Sequence, residues 1–255
     1  MLQNTDLSNP ELHVNDGPLA PSDVTLLRQS RADEPLEELR HRYHNEGYLF
    51  IKGLLPRADV LKAREQYFSM IERSSVLKPG SNPVDGIFDP EKDKADFAGI
   101  GANAASASSR PGGGTNSASF VDLALSAHYA PCVGADRVYV NLEGGGLIYL
   151  EHGDKLDQQF EDDFAKEAAV AGLSEEERKN SFNRNMMTTG FLADGPAGFA
   201  RQHNSRWLLT AYEACDVVFH KPHMIHASSI NQGPESRIRL GTDLRFVNAS
   251  RPYDS

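Results

Sequence analysis

His226 closes a short stretch of apolar and turn residues and is followed by the small side chains of Ala227 and Ser228. Small neighbours leave an imidazole room to project from a strand end. Eleven residues further on, beyond a turn rich in Asn, Gly and Pro, stands Arg237. A neutral imidazole can ligate a divalent metal, and a guanidinium holds a carboxylate through two parallel charge-assisted hydrogen bonds. A metal beside an anchored carboxylate is what non-haem iron needs when it works with an oxoacid. Such an iron takes two histidines and one carboxylate on one face, leaving positions open for oxoacid and oxygen. The plain alternative is a hydrogen-bonded structural histidine and a solvated strand arginine. His220, His223 and His226 fall within seven residues, so at most one of them is expected to be a ligand.

The other ligands must come from elsewhere. A His-x-Asp triplet chelates when it lies on a strand, because residues two apart share a face. The chain holds one such triplet, His152-Gly153-Asp154, 74 residues before His226. On letters alone the metal set is His152, Asp154 and His226. His128-Tyr129-Ala130 offers a His-x-Ala variant, but His128 continues a helical pattern.

These residues need elements to position them. Residues 1–22 are polar and read as a flexible tail, leaving 23–255 as one domain. Residues 35–44 predict a helix with proline in its first turn, ended before Gly47. Residues 48–51 predict a strand, and 56–73 a helix with Val60, Leu61, Tyr67, Phe68 and Ile71 near one stripe. Residues 78–118, rich in Gly, Pro, Ser and Ala, predict a long loop or lid. Helical spacing returns at 119–130, and strands are expected at 138–141 and 146–150.

Residues 156–171 predict a helix whose acidic face, Glu161, Asp162 and Asp163, reads as solvated. Ser174 with Glu177 forms a capping box that opens another helix toward Met187. Strand-like runs follow at 189–192, 207–212, 217–220, 224–227 and 238–247. In the last, Ile238, Leu240, Leu244 and Phe246 share one face, while Arg237, Arg239, Asp243 and Arg245 share the other. Short strands divided by Gly, Pro and Asn turns predict a mainly β fold with flanking helices, of jelly-roll type.

The whole chain sets outer bounds. Its 255 residues suffice for one domain with a real core. A net charge of −10 argues against a nucleic-acid surface, which needs clustered Lys and Arg. Two cysteines, Cys132 and Cys215, make no disulfide framework and point to a reducing compartment. The sequence shows no secretory signal and no apolar run of membrane-spanning length. A cytoplasmic protein with a small-molecule substrate is expected.

The segment HMIHASSINQGPESRIRLGTDLRF resembles the closing part of the phytanoyl-CoA dioxygenase family, especially its fungal and bacterial small-molecule members. LRHRYHNEGYLFIKGLLPRADVLKAREQYF resembles that family's first helix, strand and second helix, and GGGLIYLE and RWLLTAYEACDVVFH fit as well. The resemblance covers most of residues 25–253. It implies a double-stranded β-helix (jelly roll, cupin-like), Fe(II), 2-oxoglutarate as co-substrate, O2, and hydroxylation of a small organic molecule, a chemistry common in secondary metabolism. By position, His226 matches the distal iron histidine and Arg237 the arginine that binds 2-oxoglutarate, with Ser228 assisting.

One arm departs from the family pattern. There, His-x-Asp precedes the strand that GGGLIYLE resembles, whereas His152 and Asp154 follow it. The chain runs from SFVDLALSAHYA to CVGADRVYVNLEGGG within a few residues, where the family has further barrel strands, so the β-helix is expected to be incomplete. Three readings follow: a dioxygenase using His152, Asp154, His226 and Arg237; a non-catalytic relative that binds, or that pairs as a homo- or hetero-dimer through exposed sheet edges; or a shortened product that folds poorly.

Overall fold

The computed structural model describes residues 12–94, 97, 139–140, 144–174, 177, 192–193, 195–241, 244, 246 and 250. The helix expected at 119–130, most of the one expected after Ser174, the triplet at His128 and residues 98–118 of the expected lid lie outside the described residues.

The chain enters through two short strands, β1 (His13–Val14) and β2 (Gly17–Pro18), then β3 (Val24–Leu26) and β4 (Gln29–Ser30). Residues 12–22 correct the flexible-tail expectation: Leu12, Val14 and Leu19 are almost fully buried in one core cluster. Helix α1 (Leu36–Glu46) follows Pro35 and stops at Gly47, whose φ of 79° lets its N–H reach the Tyr43 carbonyl. A side chain at Gly47 would also strike Asp154, 2.5 Å from the ideal Cβ. Strand β5 (Tyr48–Ile51) and helix α2 (Arg57–Ile71) come where the periodicity placed them, with Val60, Arg64, Phe68 and Ile71 buried on one stripe.

Beyond β6 (Tyr139–Val140) and β7 (Leu147–Leu150), helix α3 spans Gly153–Val170. It starts three residues before the expected boundary, which changes the geometry of the site. The capping box at its far end is formed as expected: the Ser174 and Glu177 backbone N–H groups each donate to the other's side chain. Helix α4 (Pro196–Gln202) and strands β8 (Trp207–Leu209), β9 (Tyr212–Glu213), β10 (Val217–His220) and β11 (His226–Ser228) complete the order.

Strand β5 sits centrally in a three-stranded sheet, antiparallel to β10 and parallel to β4. A four-stranded sheet runs β11-β7-β8-β3, with β3 and β8 parallel and the other pairs antiparallel. Tyr48 and Phe50 of the first sheet pack on Tyr149 and Leu208 of the second, together with Met224 and Tyr212. The opposite face of the second sheet, Ile148, Leu150, Trp207 and Leu209, is covered by residues 12–24 and α4. A sheet buried on both faces explains why LIYL and WLL are continuous apolar runs rather than alternating ones. The architecture is therefore α+β with small mixed and antiparallel sheets; among the described residues they do not close into a barrel.

Two further expectations change. Residues 78–94 are not a free lid: Leu77, Phe88 and Phe97 are buried with Phe68, Ile71 and Leu240. The strand expected at 238–247 is absent from residues 238–241, and Arg237 makes an isolated antiparallel bridge to Ile87 instead. The side-chain alternation there still holds in part, since Leu240 is buried and Ile238 packs beside it. No helix among the described residues is long and apolar enough to cross a membrane.

Candidate functional site

Strand β11 carries His226 in register with Tyr149 of β7. Strand β10 carries His220 in register with Tyr48 of β5. The two tyrosines stack with ring centres 6.3 Å apart, so the seam between the two sheets brings the two histidines together. Their ring centres are 5.4 Å apart, and Tyr149 lies 5.7 Å from His220 and 6.1 Å from His226. Burial pushes the Tyr48 hydroxyl up to about 12, against the Arg28 backbone N–H that donates to it, so it stays a neutral phenol.

Each histidine is oriented through Nδ1. His226 Nδ1 lies 2.9 Å from the Met224 carbonyl, and His220 Nδ1 lies 3.0 Å from the Lys221 carbonyl. A carbonyl oxygen only accepts, so both Nδ1 atoms donate. In the neutral ring the lone pair then resides on Nε2, the arrangement found in metal-bound histidines.

His152 and Asp154 are not on a strand. Strand β7 ends at Leu150; His152 takes the left-handed conformation, φ 58°, as the residue capping α3, and Asp154 lies in the first helical turn. Residues two apart on a helix do not share a face, so the spacing that would chelate on a strand fails here. His152 is exposed, whereas Asp154 is buried with Oδ2 accepting from Lys221 Nζ at 2.6 Å. The same ammonium donates to the His44 carbonyl at the end of α1, 2.8 Å away. Asp154 therefore ties α3 to α1 and to the β10–β11 turn. His152, Asp154 and His226 do not form a group whose ligand atoms lie within 4.8 Å of one another. As a set they do not fit an iron ion.

Arg237 is also engaged. Its guanidinium donates to Asp85 Oδ1 at 2.8 Å and to Glu235 Oε2 at 2.6 Å, and these two carboxylates raise its pKa further. The arginine that meets Ser228 is Arg239: its Nη2 lies 3.3 Å from Ser228 Oγ and its Nη1 donates to the Gly145 carbonyl at 3.0 Å. Sequence spacing selected Arg237; the alternation that put Arg237 and Arg239 on one face was the signal for Arg239.

A second group was missed. Asp157 and Glu161, one turn apart on α3, face His223, whose Nδ1 is 3.0 Å from Asp157 Oδ2 and 3.6 Å from Glu161 Oε1. Among the described residues, these are the one group of three or more His, Cys, Asp or Glu whose ligand atoms lie within 4.8 Å of one another. Of the three, His223 lines an open cleft of about 420 Å³ together with Asp154, Gln158, Asp162, Lys166 and Lys221. The i, i+4 spacing of Asp157 and Glu161 was legible; the histidine partner depended on the β10–β11 turn.

Compared with protein-family models, with characterised proteins and with solved structures, the chain matches none.

Proposed function

We propose that this chain is an oxidoreductase of the Fe(II)/2-oxoglutarate-dependent dioxygenase type, acting on a small organic molecule within a jelly-roll-like scaffold. The observation that carries the reading is that His226 and Ser228, two apart on β11, share a face, with Arg239 reaching Ser228 from residues beyond the strand. His226 has its Nδ1 fixed by the Met224 carbonyl, and the Ser228 hydroxyl two residues along the strand meets the Arg239 guanidinium. In this reading His226 supplies a metal ligand, and Ser228 with Arg239 supplies the donors for a carboxylate, the role that spacing alone gave to Arg237. The oxygen chemistry belongs to the metal and the oxoacid; the protein's part is orientation. His152 and Asp154 take no part, and the ligand that would complete the set is left unassigned.

The test is succinate release from 2-oxoglutarate under air with Fe(II), across a panel of small organic substrates. Release in the unaltered protein that disappears in His226→Ala and falls at least tenfold in Arg239→Met supports the reading. No succinate with any substrate, or release unaffected by His226→Ala, removes it.

A non-catalytic binding role is the second reading. It is favoured by the ion pairs that occupy Asp154 and Arg237, two of the residues that sequence spacing assigned to the site. Binding of 2-oxoglutarate without turnover, followed by calorimetry, would select it.

A further inference from the structure

We infer that His220 and His226 together bind one divalent transition-metal ion through their Nε2 atoms, His220 taking the place that the sequence offered to His152. The inference rests on the reading of His226 as a metal ligand and adds its partner.

Three features carry it. First, both imidazoles are held the same way, each donating Nδ1–H to a backbone carbonyl, which leaves Nε2 of each as an acceptor. Two adjacent histidines fixed alike offer two unprotonated ring nitrogens as ligands. Second, the separation fits. Two imidazoles bound through Nε2 to one ion at about 2.0–2.1 Å put their ring centres roughly 4.5–5.5 Å apart. The observed 5.4 Å falls in that interval, with the ring planes inclined by 45°. Third, the pair is built by the fold rather than by chance contact of long side chains. His220 is fixed by pairing with Tyr48, His226 by pairing with Tyr149, and the stacked tyrosines join the two sheets behind them.

Two neutral nitrogens suit Co(II), Ni(II), Cu(II), Zn(II) or Fe(II) better than Mg(II) or Ca(II), which prefer oxygen. Two protein ligands leave several coordination positions for water or a chelating oxoacid. Tyr149, in ring contact with both histidines, forms one wall of the site.

The experiment titrates the full chain with Zn(II) and follows the histidine ring nitrogens by NMR, with Co(II) absorption as the affinity readout. Zn(II) should shift the Nε2 signals of two rings in the unaltered protein, and these should be the signals lost in His220→Gln and in His226→Gln. Either substitution should weaken Co(II) binding at least tenfold, while His152→Gln and His223→Gln leave it unchanged. Where a variant does not fold, the shifted rings are assigned to their residues in the unaltered protein, and only assignment to His220 and His226 supports the inference. One shifted ring, or none, overturns the inference. So does loss of binding in His223→Gln with retention in His220→Gln, which would move the ion to Asp157, Glu161 and His223. Loss only in His226→Gln sinks the role of His220 but keeps that of His226. Two shifted rings without succinate release keep the metal pair and remove the dioxygenase reading.

Discussion

At the scale of single residues, the pair Asp154–Lys221 separates structural from ligating roles. Asp154 is buried and Lys221 is about a quarter exposed, so the pair is only partly screened. Replacing Asp154 by Ala leaves a half-buried ammonium with only the His44 carbonyl. The expected loss is about 1–3 kcal/mol of stability, read by urea unfolding. Metal affinity should not change in the same variant; a fall in Co(II) binding would restore Asp154 to the site. Asp23 gives a pH signature. The Arg201 side chain donates to its carboxylate at 2.6 Å and holds its pKa below the ordinary 3.8. A lowered folded pKa contributes stability that is complete above the ordinary carboxylate value and fades as pH falls through the folded one. Asp23→Asn should therefore lower the melting temperature at neutral pH. The gap to the unaltered protein should narrow below about pH 4, and a gap constant from pH 7 to 3 would contradict this. What was legible at this scale was residue type and local spacing. His226 stood out because it was expected to close a strand next to small residues; it opens β11 instead, and its ring meets His220 of the other sheet. The triplet His152-Gly153-Asp154 misled because its spacing has meaning only on a strand, and the chain had already turned into a helix.

At the scale of elements, two distant caps and staples hold helices that the sequence located without showing their partners. Asp16, in the turn between β1 and β2, accepts from the backbone N–H groups of Ala197 and Gly198 and so caps α4 from across the sequence. Asp16→Ala should cost about 0.5–2 kcal/mol, measured by chemical denaturation. Arg64 of α2 is buried, donates to the carbonyls of Val84, Asp85 and Ile238, and lies 4.5 Å over the Phe68 ring. It clamps the segment that was expected to be a lid. Gly86 packs under this clamp at φ 59°, and an added Cβ would lie 2.5 Å from the Arg64 guanidinium. Gly86→Ala should thus destabilise by about 1–3 kcal/mol, through left-handed strain and displacement of Arg64; a neutral effect on the melt would show that the clamp yields freely. Composition made residues 78–94 look like loop because Pro, Gly, Asp and Lys outnumber the apolar residues. The few apolar side chains that anchor them, Leu77 and Phe88, are too sparse to show a period.

At the scale of the whole molecule, stability rests on the cluster that joins the two sheets. Phe50 is 1% exposed and meets Tyr212 edge-on at 5.7 Å. Phe50→Ala should cost about 3–5 kcal/mol and, by loosening the seam, weaken binding at His220 and His226 as well. A destabilised variant with unchanged Co(II) affinity would show that the seam and the histidine pair are independent. The strands β5, β7 and β10 were readable from apolar runs bounded by glycine or turn residues. The strands β3 and β4 were not, because two or three residues carry no periodicity and their partners are remote in sequence. Among the described residues, β10 and β11 each pair on one side only. An association through those edges would appear as a dimer in light scattering.

The parallel pairing of β3 with β8 joins Val24 to Trp207 and Leu26 to Leu209. The first strand of that sheet emerges from the ribosome long before its neighbour has been synthesised. During translation its backbone donors and the apolar side chains around it must wait in water or on a chaperone, since loops this long close only once both ends exist. Docking of β3 therefore waits until β8 has been synthesised, some 180 residues later.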